Sequence, residues 1–255
     1  EGARRMGVLA LVCAMPMERR PLSKQLGLRP AEIEGLPLHS GSLGHRSVVA
    51  IVTGMGTELA TRGTERLLAA VAPERVVVVG ITGAVEDDTV IGTVMLPELV
   101  VLGATGREHH PETLGSGTPH GVMWTTDRIT PPSELAALRA RGVVCLDMET
   151  AAVAACCDQR GIPWSVFRAI SDRATDGSVD DEVFGMSNQD GTPNPRAVAR
   201  YLLRHPLAVP RLTTMAKGAK LAAERAATAA IEAVAEVAGA RGGSNSNQLN
   251  RPRDL

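Results

Sequence analysis

Three acidic residues, Glu18, Glu149 and Asp172, each follow an apolar run of the kind that forms a buried strand. Carboxylates gathered at strand ends can do acid–base work on a bound ligand. Cleavage of an N-glycosidic bond, for example, passes through an oxocarbenium-like sugar. It needs an acid to protonate the departing base, a group to activate or hold the nucleophile, and polar contacts to the sugar hydroxyls. Three carboxylates converging on one pocket meet that need. Each also has a plainer reading. Glu18 and Glu149 fit first-turn acids favoured by a helix dipole, and Asp172 fits a turn or cap residue. Spacing alone leaves both readings open.

The elements that must position these residues are legible as alternating runs. Val8–Cys13 reads as a strand and Met17–Leu26 as a short helix. Leu38–Leu43 and Ser47–Val52 form a hairpin across Gly44-His45, and Glu58–Val71 is helical, with Leu59, Leu67, Leu68 and Val71 on one side. Arg75–Val79 is a continuous valine run, the pattern of a strand covered on both faces. Val94–Val101 and Val122–Thr125 are further strands, and Ser133 is placed to cap a helix reaching Arg141. Val143–Leu146 leads into a helix from Glu149 to Arg160, and Ser165–Ile170 is the last core strand. This alternation predicts an α/β fold, a three-layer sandwich around a mixed, mainly parallel sheet. In such folds ligands sit beyond the carboxyl ends of the strands. That draws attention to 15–18, 54–57, 80–84, 126–130, 147–150 and 171–172.

The chain has 255 residues, 44% hydrophobic and 22% charged, which suits one large core. Its net charge is −1 with Lys and Arg dispersed, so the concentrated basic face that nucleic acid requires is not expected. Aromatic content is 2%, so Ala, Val and Leu must fill the core and a ligand has few rings to stack on. Cys13, Cys145, Cys156 and Cys157 include no C-x-x-C and read as reduced packing thiols of a cytoplasmic protein. No signal peptide and no transmembrane segment are expected, since no apolar stretch reaches the roughly 20 residues needed to span a bilayer. Residues 6–206 read as one domain and 207–240 as a C-terminal helical extension. The charge alternation of that extension suits a solvated face, with dimer packing as the other reading. Residues 241–255 read as a disordered tail.

Five blocks occur in order: Ala14-Met15-Pro16-Met17-Glu18, Gly54-Met55-Gly56, Val78-Val79-Gly80-Ile81-Thr82-Gly83-Ala84, Asp147-Met148-Glu149-Thr150-Ala151-Ala152-Val153-Ala154 and Arg168-Ala169-Ile170-Ser171-Asp172. Together they resemble the successive motifs of the 5′-methylthioadenosine/S-adenosylhomocysteine nucleosidases within the nucleoside phosphorylase/nucleosidase superfamily. The D-M-E-x-A-A-x-A block followed by R-A-I-S-D is the specific part, and G-x-G alone is weak. A further run, Thr126-Asp127-Arg128 with Thr130-Pro131, and the segment from Asp190-Gly191 through Pro195 to Leu203, is similar to the hopanoid-associated nucleoside phosphorylase branch. The resemblance implies hydrolysis of an adenosine derivative with release of adenine, in a homodimer, without metal or other cofactor. It implies that Asp172 protonates or hydrogen-bonds N7 of the purine, that Glu149 holds the ribose hydroxyls with Met148 against the sugar, and that Glu18 orients water. It places Gly80, Ile81 and Gly83 in a turn beside the base, with Met15, Gly56 and Ile129 also lining the substrate.

The chain departs from that pattern at Ile81, where the nucleosidases carry a small Ser, and at Ile129, where they carry a stacking Phe. It also lacks their long insertion between the strands ending at Val101 and starting at Val122. Two alternatives therefore stand beside hydrolysis. One is phosphorolysis of a nucleoside or an adenosylated lipid, with phosphate as a second small-molecule partner and Arg19 or Arg20 as its contacts. The other is a nucleoside-binding module without turnover. His109, His110 and His120 lack a carboxylate or Cys at metal-ligand spacing and read as an exposed loop. Asp176, Asp180, Asp181 and Glu182 read as a loop over the site.

Overall fold

Arg75–Ala84 and Trp164–Arg173 are ten-residue strands that run parallel to one another at the centre of the sheet. The computed structural model describes residues 7–174, 182, 185–188, 190, 192 and 194–243. Its strands are β1 Leu9–Cys13, β2 Arg29–Ile33, β3 Leu36–Leu43, β4 Arg46–Val52, β5 Arg75–Ala84, β6 Val94–Met95, β7 Leu99–Leu102, β8 Arg107–His109, β9 Val122–Thr125, β10 Val143–Asp147 and β11 Trp164–Arg173. The helices are α1 Pro16–Leu26, α2 Thr57–Val71, α3 Pro132–Ala140, α4 Thr150–Gln159, α5 Pro195–Arg204 and α6 Val209–Gly243. One sheet runs β2-β3-β4-β1-β5-β10-β9-β7-β8, with β11 paired to β5 and β6. It is mixed. The inner pairings β1–β4, β1–β5 and β5–β11 are parallel, as are β9–β10 and β7–β9, whereas the hairpins and the β5–β10 contact are antiparallel.

The valine run is covered on both sides, as its composition requires. Val76 and Val78, with Ala10 and Val12 of β1, face α2 and α4. Val77 and Val79, with Leu9 and Leu11, face α1 and α6. This is the expected three-layer α/β sandwich. The four cysteines are buried and free, and burial pushes the Cys145 and Cys157 thiols up to about 12.

Several boundaries differ from the sequence reading, each for a local reason. Gly80–Ala84 is not a turn but the second half of β5, because Gly83 and Ala84 pair with Leu146 and Cys145 of β10. The predicted strand Val94–Val101 is two strands, β6 and β7, separated at Leu96–Glu98. Ser133 lies inside α3, and the preceding Pro131 occupies the N-cap position. His109 is not in an exposed loop. It lies in β8 at 1% exposure with Nδ1 2.6 Å from Asp158, whose other oxygen accepts from Trp164 Nε1 at 2.8 Å. The expected helix over 207–240 is present as α6, but it is part of the sandwich rather than a solvated appendage. Ala222, Ala226, Ala227 and Ala230 are at most 1% exposed against β5, β11 and α1. Alanine permits a helix to lie close to the sheet, and the Glu, Lys and Arg residues that alternate with it face outward. Of the predicted tail, 241–243 end α6 and 244–255 lie outside the described residues, as do Asp176, Asp180 and Asp181 of the predicted acidic loop.

The packing of α6 yields a test. Ala226→Leu should lower stability by about 1–3 kcal/mol through overpacking, whereas Ala235→Leu, on the exposed face of the same helix, should change it by less than about 0.5 kcal/mol. Urea melts of the two variants check this; equal effects would remove α6 from the core.

Candidate active site

Pro16 begins α1 at a position where its missing N–H costs nothing. This places Glu18 at the third helical residue, from which its side chain turns back over the helix start. Glu18 Oε2 accepts from the N–H groups of Ala14 and Met15 at 2.8 and 2.9 Å, and Oε1 accepts from Ile81 N–H at 2.8 Å. The guanidinium of Arg168 stands 3.4 Å from Oε1, the loosest of the four contacts. Glu18 is 1% exposed. Gly80 makes this possible: a Cβ there would lie 2.2 Å from Glu18 Oε1 and 2.6 Å from Arg168 Nη1. Gly80 therefore backs the carboxylate–guanidinium pair, while Ile81 contributes its N–H to Glu18 and its carbonyl to Arg168 at 3.0 Å.

Because β10 runs antiparallel to the end of β5, its last residues return over Thr82 and Gly83, and Thr82 Oγ1 donates to the Leu146 carbonyl at 2.6 Å. Asp147 then caps α4. Its Oδ2 accepts from Thr150 N–H at 2.8 Å, Thr150 Oγ1 at 2.5 Å and Arg168 Nη2 at 2.9 Å, and its Oδ1 accepts from Thr125 Oγ1 at 2.6 Å. Glu149 follows in the N-cap position. Its Oε2 accepts from Arg168 at 3.2 Å and its Oε1 from Gly56 N–H at 3.0 Å. Gly56, at φ +92°, adopts backbone that suits glycine and opens α2. Asp127 fixes that helix start by accepting from Thr57 N–H and Oγ1 at 2.7 and 2.6 Å.

Asp172 lies beside this cluster, paired in register with Gly83. Ser171 Oγ donates to its Oδ1 at 2.5 Å. Oδ2 lies over Gly83, where even a Cβ would sit 3.4 Å away. Gly83, Ile129, Met148 and Asp172 line one cleft, together with Arg128 and Arg173. Thus the structure gathers Gly83, Ile129, Met148 and Asp172 on the cleft, joins Glu18, Glu149, Gly56 and Met15 through backbone N–H groups and Arg168, and sets Gly80 behind that pair. Behind Asp172, α6 packs so closely that a Cβ on Gly218 would be 2.7 Å from the Ser171 carbonyl.

Sequence reasoning missed three positioning groups. Arg168 was visible only as a motif letter, although a lone Arg inside an apolar strand signals a buried charge with partners. Asp147 was visible as an acid just before a helix, the N-cap signal, whereas Asp127 acts on a helix start 70 residues away in sequence and left no local signal. Burial works against the charge on Arg168, yet Asp147, Glu18 and Glu149 hold its pKa above the ordinary arginine value. Burial also raises Glu18, against the pull of Arg168 and the three N–H groups. Glu149 is pushed up from 4.5 to about 7, first by burial, with Arg168 opposing and Asp147 and Glu18 adding to the rise. One guanidinium faces three carboxylates, so its pull does not offset the burial of Glu149.

An acid whose pKa is higher in the folded than in the unfolded chain stabilises the fold below its unfolded pKa and loses that contribution as pH rises through the folded one. The window here runs from 4.5 to about 7. Melting temperature should therefore fall between pH 5 and pH 8 (roughly the window of that shift), and Glu149→Gln should flatten the fall. Thermal melts across this range check it, and an unchanged slope in the variant would show that Glu149 is not the titrating group.

The sequence pattern of the phosphorylase superfamily matches residues 8–113 and 107–204. A 5′-methylthioadenosine/S-adenosylhomocysteine nucleosidase of Chromohalobacter salexigens is 28% identical over 203 residues, 66% of this chain and 86% of that one. The nucleosidase of the same name from Shewanella piezotolerans is 24% identical over 186 residues, 58% of this chain and 78% of that one. The crystal structure of the Neisseria meningitidis nucleosidase in complex with methylthio-immucillin-A superposes with a TM-score of 0.69 over 91% of this chain and 100% of that one, a likeness of fold at 17% identity. With its sheet order, its covered valine strand and the matched residues together, the chain belongs to the phosphorylase superfamily.

Proposed function

We propose that this protein hydrolyses the N-glycosidic bond of a purine nucleoside, an adenosine derivative of the kind for which its nucleosidase relatives are named, and releases adenine. The observation that carries this reading is the carboxylate cluster: Glu18 and Glu149 share Arg168, and Asp172 faces the adjoining cleft. In the reaction the C1′–N9 bond breaks as electrons pass to the purine. Asp172 gives its proton to N7 through Oδ2, so that the base departs neutral, while Oδ1 stays held by Ser171. Each oxygen of Glu149 carries one protein contact, so each retains an acceptor site for a ribose hydroxyl. Water adds to C1′ and loses a proton to Glu18, whose raised pKa makes it the better acceptor. The water is received at Oε1, where the 3.4 Å contact to Arg168 is the one most easily yielded. Met148 packs against the sugar, and the homodimer implied by the family resemblance belongs to the same proposal.

The choice of nucleophile follows from charge. A phosphate dianion is best served by an uncommitted cationic cradle. The guanidinium in contact with Glu18 is already divided among three carboxylates. A phosphorolytic reading draws on one observation, that Arg128 and Arg173 line the cleft. Arg128, however, is engaged by Glu134, and Arg173 Nε donates to the Thr89 carbonyl at 2.9 Å.

Incubation with 5′-methylthioadenosine should yield adenine and a free sugar whether or not phosphate is present, and Asp172→Asn should lower the rate by roughly 10²-fold or more. A strict phosphate requirement with a sugar 1-phosphate product would overturn hydrolysis, and near-unchanged turnover in the Asn variant would remove Asp172 from the mechanism. Glu149→Gln should weaken ribonucleosides about tenfold more than their 2′-deoxy analogues, the scale of one charge-assisted hydrogen bond. Equal losses in KM would make Glu149 a structural cap.

A further inference from the structure

Among the described residues five large apolar side chains are exposed, and three of them, Leu203, Leu207 and Val209, fall within one short stretch at 85%, 91% and 50% exposure. This stretch joins α5 to α6 through a single 3-10 turn, Pro206–Ala208. The inward side of α5 is accounted for: Tyr201 is buried, and Ala197, Val198 and Leu202 pack beside it with Leu212 and Met215 of α6. The outward side carries Arg196, Arg200, Leu203 and Arg204, all exposed and spaced three and four residues apart, which places them on one face. From Pro195 to Arg211 the sequence holds four arginines and one histidine and no Asp or Glu. Among the described residues, the acid that meets this face is Glu182, 3.6 Å from Arg204 and 3.1 Å from His205. It contacts neither Arg196 nor Arg200 within ion-pair distance.

We propose that this corner of the molecule is a peripheral docking surface for an anionic lipid bilayer. The charges choose the partner: arginines on one face of a helix whose own sequence carries no acid are attracted to an anionic surface layer. The leucines choose a bilayer over a folded protein. Side chains about nine-tenths exposed stand out from the surface, and a headgroup layer admits such projections without a preformed pocket. Neither contribution suffices alone. A few arginines bind weakly and release in salt, and two leucines bury too little area, but together they provide the two signals that lasting surface attachment needs. No helix among the described residues is long and apolar enough to cross a membrane. The face is separate from the Asp172 cleft and shares no lining residue with it.

Co-sedimentation of the full chain with vesicles tests this. Vesicles of phosphatidylcholine with phosphatidylglycerol should retain the protein, vesicles of phosphatidylcholine alone should not, and high salt should release it. Leu203→Ser with Leu207→Ser, and separately Arg196→Gln with Arg200→Gln, should each weaken vesicle binding by about tenfold or more. Cleavage of a water-soluble nucleoside and the melting temperature should stay unchanged in both. Equal retention on neutral vesicles, or unchanged retention of both double variants, would overturn the proposal. So would a change of oligomeric state in sedimentation velocity with vesicle binding intact, because it would assign the leucines to a second copy of this chain.

Discussion

A single guanidinium enclosed by three carboxylates governs how this molecule is put together. Arg168 is 2% exposed on the central strand β11, and its partners come from the helix after β1 and from the strand-to-helix junction after β10. Removing ions from water is costly, and their attraction compensates only when geometry is good and the remaining lone pairs are filled. Here they are filled by backbone: Ala14, Met15 and Ile81 for Glu18, Thr150 for Asp147, and Gly56 for Glu149. Those N–H groups belong to the end of β1, to the starts of α2 and α4 and, for Ile81, to the second half of β5, so the electrostatics of the cluster and the placement of these elements are one constraint. Deleting one partner leaves the others buried and unmatched, and for that reason the cluster holds its shape beneath a solvent-open cleft.

The core around it holds few aromatics, Trp164 and Phe167 among them, and this affects where the helices sit. The buried residues are mostly Val, Leu and Ala. Small side chains on α6 and α4 bring those helices close to the sheet, and Gly218 brings α6 nearly into contact with the Ser171 carbonyl. The strand end that carries Asp172 is therefore braced from behind by backbone against backbone. A close-packed support of that kind leaves little room for Asp172 to drift, which suits the proton-donor role proposed for it, whose reach is set by a single hydrogen-bond length.

How much of this was legible in the sequence depended on whether the cause was local. The valine run announced a doubly covered strand because burial on both faces writes itself as continuous apolar residues. The acids at 18, 149 and 172 stood out because strand ends in an α/β fold converge. What was not legible came from pairing between distant segments. Gly80–Ala84 looked like a turn, since its glycines and threonine carry turn chemistry, yet pairing with β10 draws it into a strand. The alanine and charge pattern of α6 looked solvated, since a helix with a narrow small-residue stripe reads as polar until the sheet it covers is known. His109 looked like loop, and only the fold brings Asp158 and Trp164 to it.

The two departures from the nucleosidase pattern can now be weighed separately, and they do not mean the same thing. Ile81 lies on β5 with its side chain turned toward the layer formed by α1 and α6, where it packs beside Val79, Val94 and Ala169. Its part in the site is an N–H for Glu18 and a carbonyl for Arg168, which any residue but proline supplies. A bulky side chain at that position therefore neither blocks the cleft nor disarms it, and the case for a binding module without turnover loses one of its two supports. Ile129 does line the cleft beside Met148 and Asp172. A branched aliphatic there would give a bound base apolar contact area but no ring to stack against, so on the proposed reading the cost falls on binding of the purine. The protonation and water steps proposed for Asp172 and Glu18 are untouched by it. On the proposed reading, the departure that reaches the pocket bears on how tightly a base is held, and leaves in place the groups proposed to remove it.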